Sequence, residues 1–182
     1  MSDFVVLVDT KDLEIGVMDK MEAHQKAVLH RAFSVLIFNS DNQFLIQRRA
    51  ATKYHSAGLW SNTCCSHPTP GETILDACNR RLKEEMGLTC DNLTDLYHFI
   101  YKVDFENKLS EHELDHVVIG HSDSKPVLNP KEASEWKYAS YEELRKDIWE
   151  NPENYTFWFK VIFEKAYRLL LKQEFLGKNF KQ

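Results

Sequence analysis

WSNTCCSHPTPGETILDACNRRLKEEMGL, residues 60–88, is the stretch from which the fold can be read. Cys64 and Cys65 are adjacent, so along an extended segment their side chains point to opposite faces and only one of them enters a given cleft. His67, two positions past Cys65, shares its face. Pro68, Pro70 and Gly71 then make a turn. Beyond it Ile74, Cys78, Leu82 and Met86 recur every fourth residue, the apolar stripe of an amphipathic helix over residues 72–86 that Gly87 ends. On that helix Arg80 and Glu84, and Arg81 and Glu85, stand one turn apart, two mixed-charge rows beside the stripe. Taken singly, these residues have plain structural readings: a core thiol, a hydrogen-bonded imidazole, a solvated ion pair. Their convergence with residues elsewhere is what gives them chemical weight.

Upstream, residues 33–38 and 44–47 are β-rich runs joined by Asn39-Ser40-Asp41-Asn42, a hairpin turn. The second run leads into Arg48 and Arg49, with Lys53 shortly after. Cations clustered where a strand gives way to a loop can grip phosphates; a solvated loop end is the alternative. Before them, DKMEAHQKAVLHRAF (residues 19–33) holds Lys20, His24 and His30, and a six-residue histidine spacing is by itself a weak metal signal. Residues 4–8 and 15–18 form a short hairpin around a Lys11-Asp12 turn.

Downstream, residues 96–105 read as a strand carrying Tyr97 and Tyr101. In SEHELDHVVIGHSD (residues 110–123) Glu111 and Glu113 share one face of an extended chain. Two acids on one face repel unless a cation or a proton sits between them, so a metal site and an exposed edge are the competing readings. A short strand at 136–139 follows, then a helix over 141–149 opened by Ser140 with Glu143 completing a capping box. Asn151-Pro152 breaks the chain before a helix over 156–172 that carries Trp158 near its start.

The chain has 182 residues, 43% of them hydrophobic, enough for one domain over residues 1–182 with a real core. A net charge of -5 and the lack of a long basic run argue against a nucleic-acid partner and for a small molecule. No apolar run approaches the ~20 residues that cross a bilayer, and residues 1–10 lack a secretory leader's basic start, so a cytoplasmic location without membrane insertion is expected. The four cysteines, at 64, 65, 78 and 90, show no C-x-x-C spacing and are expected as thiols. His24, His30, His67, Glu111 and Glu113 together offer three nitrogens and two carboxylates, a set that suits Mn²⁺ or Mg²⁺, with Zn²⁺ or Fe²⁺ as alternatives.

Three separated segments carry a resemblance that joins these residues. SNTCCSHP at 61–68 (with Ser61 in place of a Thr), LHRAFS at 29–34 and EHELD at 111–115 resemble the signature stretches of the type 1 isopentenyl-diphosphate Δ-isomerases, a branch of the Nudix superfamily. A Nudix box is visible but altered: Ser66, Glu72, Arg80, Arg81, Leu82, Glu84, Glu85, Gly87 and Leu88 fall in its pattern. Ser66 stands where the superfamily has Gly, and Arg81 where hydrolases have the first Glu of their acidic run. Losing that acid weakens a hydrolytic multi-metal site and adds a charge that attracts phosphate.

The resemblance implies an α/β fold with a Nudix-like mixed sheet flanked by helices and short N-terminal strands. It implies an isomerase that interconverts isopentenyl and dimethylallyl diphosphate by a metal-dependent 1,3-proton shift through a tertiary carbocation, in isoprenoid precursor synthesis. Cys65 and Glu113 would be the catalytic pair, with Tyr101 able to relay a proton. His24, His30, His67, Glu111 and Glu113 would hold Mn²⁺ or another divalent ion, and Glu85 a Mg²⁺ arriving with the substrate. Lys20, Arg49, Lys53 and Arg81 would contact the diphosphate, and Trp158 would line the hydrocarbon end beside Tyr101. A Nudix hydrolase of some other diphosphate, and a module that only binds one, are the competing functions.

Overall fold

The computed structural model describes residues 3–105 and 107–179. In chain order the elements are β1 (Phe4–Val8), β2 (Glu14–Asp19), α1 (Lys20–Lys26), β3 (His30–Phe38), β4 (Phe44–Arg49), β5 (Trp60–Ser61), β6 (Cys64–Ser66), α2 (Ile74–Met86), β7 (Thr94–Asp104), β8 (Ser110–His121), β9 (Ala133–Ala139), α3 (Tyr141–Glu150) and α4 (Phe157–Asn179).

The centre of the molecule is the parallel pair β3 and β8, in register from His30 opposite Glu113 to Phe38 opposite His121. The other edge of β3 is shared in succession: β1 meets it at His30, β6 over Phe33–Val35, and β4 at Ile37 and Phe38. β7 closes the far side of β8 as a long antiparallel partner. The acidic stretch of β8 therefore lies on an inner strand, which rules out the exposed edge as its setting.

Because both faces of β3 and β8 are covered, their sequences read as nearly unbroken apolar runs, and the pleat deals alternate residues to two cores. Leu36, Phe38, Val117 and Ile119 join Trp158, Phe159 and Ile162 of α4 on one face. Phe33, Val35, Ile37 and Val118 join Ala77, Cys78, Leu82 and Met86 of α2 on the other. Each large buried side chain contributes about 1.5–3 kcal/mol by leaving water. The result is a mixed sheet flanked by helices, as the resemblance implies.

α2 starts one residue after its cap, Thr73, whose Oγ1 accepts from the backbone N of Asp76 at 3.2 Å. It stops at Gly87, at φ 64°, where a Cβ would meet the carbonyl oxygen of Val127 at 2.9 Å. The helix thus begins at Ile74 rather than at Glu72, whose carboxylate instead holds Arg80 at 2.7 Å. The capping box of α3 is present, with Ser140 N donating to Glu143 Oε2 at 2.8 Å. α1 leaves no periodic trace in the sequence. Asp19 caps it, accepting from the backbone N of Met21 and Glu22 at 3.0 and 3.2 Å, and Ala27 ends it in the left-handed region at φ 52°. Among the described residues no helix is long and apolar enough to cross a membrane.

Candidate active site

The polar residues of the central strands gather at one end of one face. On that face β3 presents His30 and Ser34 before it turns apolar, and β8 presents Glu111, Glu113 and Asp115 before Val117. Register decides which cysteine belongs with them. Cys65 pairs with Ser34 and faces the site, whereas Cys64 pairs with Val35 and is sealed against α2.

α1 brings Lys20 and His24 over this end, one helical turn apart. His24 Nδ1 donates to the Lys20 carbonyl at 2.7 Å and His30 Nδ1 to the Val28 carbonyl at 2.8 Å, which turns each Nε2 toward the site, where a bound cation would replace the proton that His30 Nε2 shares with Glu113. His24 Nε2 is buried with no hydrogen-bond partner among the described residues. His30 Nε2 and His67 Nε2 stand 3.2 Å apart, and His67 Nε2 lies 2.9 Å from Glu113 Oε1. Donor atoms of His24, His30, His67 and Glu113 all lie within 4.8 Å of one another. Adjacent donors on one divalent ion are about 3 Å apart when the bonds are about 2.1 Å. The group therefore fits a divalent cation. Burial pushes His24 down to about 4 and His67 to about 3, so both stay neutral and able to ligate.

Glu111 stands beside this group rather than in it. Its donor oxygen clusters with His24 and with His55, whose Nε2 is 3.1 Å from Glu111 Oε1. Glu85, expected at a separate Mg²⁺, is outside both groups: its carboxylate takes Arg81 at 2.8 Å and Gln47 at 3.0 Å.

Tyr101, opposite Glu113 in the β7–β8 ladder, ties the two acids together. Its hydroxyl lies 2.6 Å from Glu113 Oε2 and 2.9 Å from Glu111 Oε2. A phenol has one proton to give, so it cannot satisfy both carboxylates at once, and a second proton or a cation must offset their charge. Burial and the charge of Glu113 push Glu111 up. Burial would push Glu113 up as well, but hydrogen bonds from His30 and His67 outweigh it and hold that group ionised. Asp115, third on the same face, is fully enclosed and pushed well up by burial; Ser34 Oγ donates to it at 2.8 Å.

The thiol is held as firmly. Cys65 Sγ donates to Asn62 Oδ1 at 2.9 Å and accepts from Trp158 Nε1 at 2.9 Å. Trp158 is brought there by the start of α4, where Thr156 N donates to the Trp60 carbonyl at 2.9 Å and Thr156 Oγ1 meets Ser61 Oγ at 3.1 Å. Thr156 itself stays outside the helix as this strut. Burial pushes the Cys65 thiol up to about 12.

Cys65, His67, Tyr101, Glu111, Glu113 and Trp158 line one cleft, whose empty volume is about 480 Å³ with its mouth included. Lys20, Arg49, Lys53 and Arg81 line the same cleft. Arg49 sits 5.3 Å from the Trp158 ring centre. Lys53 pairs with Glu132, and Arg81 reaches Glu132 at 3.3 Å. Nε of Arg49 and Nε of Arg81 are buried donors without a partner among the described residues, as suits a site for an anion. Every expected catalytic and diphosphate-contacting residue is thus on one cleft. His55 and Ser34 join them, and Asn62, buried behind the cleft, accepts from the Cys65 thiol at 2.9 Å, although spacing in the sequence singles out none of the three. Asn62 lies inside the signature segment 61–68, but His55 is a lone histidine in a loop and gives no periodic signal.

The altered box on α2, the mixed sheet and the cleft at its polar end define a Nudix domain, and the NUDIX domain model matches residues 28–159. The fold is shared with solved Nudix structures at low identity. The DR0079 protein of Deinococcus radiodurans has a TM-score of 0.67 at 23% identity, covering 82% of this chain and 90% of that one, and a MutT NUDIX hydrolase from Burkholderia pseudomallei has 0.61 at 20%, covering 75% and 96%. Among curated proteins, isopentenyl-diphosphate Delta-isomerase 2 of Aromatoleum aromaticum is 50% identical over 91% of this chain and 87% of its own length. The isopentenyl-diphosphate Delta-isomerase of Pectobacterium atrosepticum is 52% identical over 88% and 89%. The chain belongs to the isopentenyl-diphosphate Δ-isomerase family of the Nudix superfamily.

Proposed function

We propose that this chain interconverts isopentenyl and dimethylallyl diphosphate, and that Cys65 and Glu113 move the protons. Supporting this above all is the flanking of β3: the thiol on β6 at one side and the Tyr101–Glu113 pair on β7 and β8 at the other open into a single cleft. Shifting the double bond delivers one proton to the terminal alkene carbon and removes another two carbons away. Between the two steps the positive charge rests on a tertiary carbon. One group must be an acid while the other is a base, and by microscopic reversibility they exchange roles in the return direction.

The Trp158 ring offers its π face to the developing cation, worth about 2 kcal/mol when desolvated. It is held in place by donating its own N–H to Cys65 and Ser61. The nearly closed surroundings, Trp158 being only 2% exposed, exclude the water that would trap the cation as an alcohol. Lys20, Arg49, Lys53 and Arg81 bind the unreacting diphosphate, whose binding energy keeps a small featureless alkene in register.

A divalent ion, Mn²⁺ among the better candidates, belongs to the His/Glu group, and a Mg²⁺ carried in by the diphosphate belongs beside Glu85. When bound, the first sets the charge and proton affinity of Glu113 and the second neutralises phosphate oxygens. The substrate partner is a small molecule and the compartment the cytoplasm, where four unpaired thiols persist.

Proton NMR of isopentenyl diphosphate with the protein and Mg²⁺ in D₂O tests the function. The expected result is conversion to dimethylallyl diphosphate with deuterium incorporation and no phosphate release. Released phosphate favours a hydrolase, and an unchanged substrate favours a binding module; either outcome overturns the proposal.

Arg81 is the residue that separates this box from a hydrolytic one. Arg81→Gln is expected to raise KM by about 10- to 100-fold through loss of one charge-assisted contact of about 1.5–3 kcal/mol, while kcat changes little. A KM within twofold of the parent would remove Arg81 from the diphosphate site.

A further inference from the structure

We propose that Glu132 is a built-in competitor of the diphosphate: its carboxylate pairs with Lys53 and Arg81, two of the cations that grip the substrate, and so limits how tightly substrate and product are held. The proposal rests on the reading of Lys53 and Arg81 as diphosphate contacts.

The two cations line the cleft from different elements, Lys53 from the loop after β4 and Arg81 from α2. One carboxylate bridges them. Glu132 Oε2 pairs with Lys53, and Glu132 Oε1 lies 3.3 Å from Arg81 Nη2. A phosphate group bridges cations in the same manner, so carboxylate and diphosphate seek the same N–H groups. Glu84 and Glu85 also touch Arg81, at 2.7 and 2.8 Å, but they stand on its own helix within one turn and steer the guanidinium locally. Lys20 and Arg49 lie instead against rings, Tyr54 at 5.7 Å and Trp158 at 5.3 Å. Glu132 is thus directed at half of the cationic set.

The backbone fixes it there. The Glu132 carbonyl accepts from Ala50 N at 2.9 Å, and its own N donates to the Asn129 carbonyl at 2.9 Å. Asn129 N and Val127 N donate in turn to the carbonyls of Glu85 and Met86 at the end of α2, at 2.9 and 2.8 Å. The segment is therefore tied both to the loop that carries Lys53 and to the helix that carries Arg81. Burial would push the Glu132 carboxyl up, but Lys53 and Arg81 outweigh it and keep the group ionised. A negative charge anchored on two cations of an anion site occupies their donors and repels a second anion.

Isomerisation leaves the diphosphate intact, so the product is held by the contacts that held the substrate. Gripping both equally adds nothing to the chemical step and slows release. Glu132 offsets part of that shared grip, a positioning role exerted through Lys53 and Arg81.

Glu132→Gln keeps the shape and removes the charge. Calorimetric titration with inorganic pyrophosphate at fixed Mg²⁺ is expected to show binding about 10-fold tighter than in the parent. The KM for isopentenyl diphosphate should fall with it, and kcat/KM, which does not sense product release, should rise. A carboxylate that merely propped the two cations in place would move all three the other way. Circular dichroism checks the fold, and if Glu132→Gln is not folded, Glu132→Ala carries the same measurements. Pyrophosphate binding that is unchanged or weaker in a folded variant, or a lower kcat/KM, would overturn the role of Glu132 alone. A parent protein that binds no pyrophosphate, or an Arg81→Gln variant that binds it as tightly as the parent, would overturn the diphosphate site itself.

Discussion

Replacing Cys65 by serine is expected to lower kcat for the isomerisation by about 10³-fold or more while leaving substrate affinity within a few fold. The change is the smallest available, one sulfur to one oxygen, and the new hydroxyl could still donate to Asn62 as the thiol does at 2.9 Å. What is lost is chemistry. A hydroxyl is several pKa units less acidic than a thiol, and its oxyanion cannot form in a site where burial already pushes the thiol up to about 12. Positioned proton transfer contributes about 10²- to 10⁴-fold to a rate, and Cys64, the other thiol of β6, faces α2 and cannot take over. Deuterium exchange into the substrate, followed by NMR with excess enzyme, measures the step directly. Conversion within tenfold of the parent would remove Cys65 from the proton-transfer machinery even though the fold and the cleft would stand.

Spacing pairs a few of these residues, because the pleat and the helix impose fixed periods, while the joining of the separated segments into one site comes from the resemblance. Glu111 and Glu113 share a face at any register, and Arg81 and Glu85 meet on any helix, as the 2.8 Å contact confirms. Which of Cys64 and Cys65 enters the cleft is a matter of register against Ser34 and Val35, which depends on strands far apart in the chain. β3 extends back to His30, beyond the apolar run that marks it, because His30 and Arg31 are held by pairing with Glu113 and Leu114 and not by a hydrophobic pattern. α1 has seven residues and no stripe, so only its cap, Asp19, could have signalled it. The meeting of Glu111 with His55 at 3.1 Å is likewise invisible in the sequence, since His55 lies 56 positions away in a loop.

The acid at 113 has two duties, and they can be separated. Glu113→Gln should lower kcat by about 10³- to 10⁴-fold, and saturating Mn²⁺ should not restore it. The amide keeps one oxygen for an ion, so metal affinity should fall only by about 10- to 100-fold. It cannot take the Tyr101 proton that lies 2.6 Å from Glu113 Oε2, and its N–H₂ would face a donor where a carboxylate accepted one. Glu111→Gln is the control. Glu111 contacts the same Tyr101 hydroxyl at 2.9 Å and its donor oxygen clusters with His24, so a Glu111 that serves only as a ligand loses metal affinity alone, and excess Mn²⁺ should recover most of the turnover lost in its variant. Metal titration and single-turnover rates for the two variants, side by side, resolve the duties. If excess metal rescues both equally, Glu113 is a ligand and nothing more, and the proton must be handled by Tyr101 with some other partner.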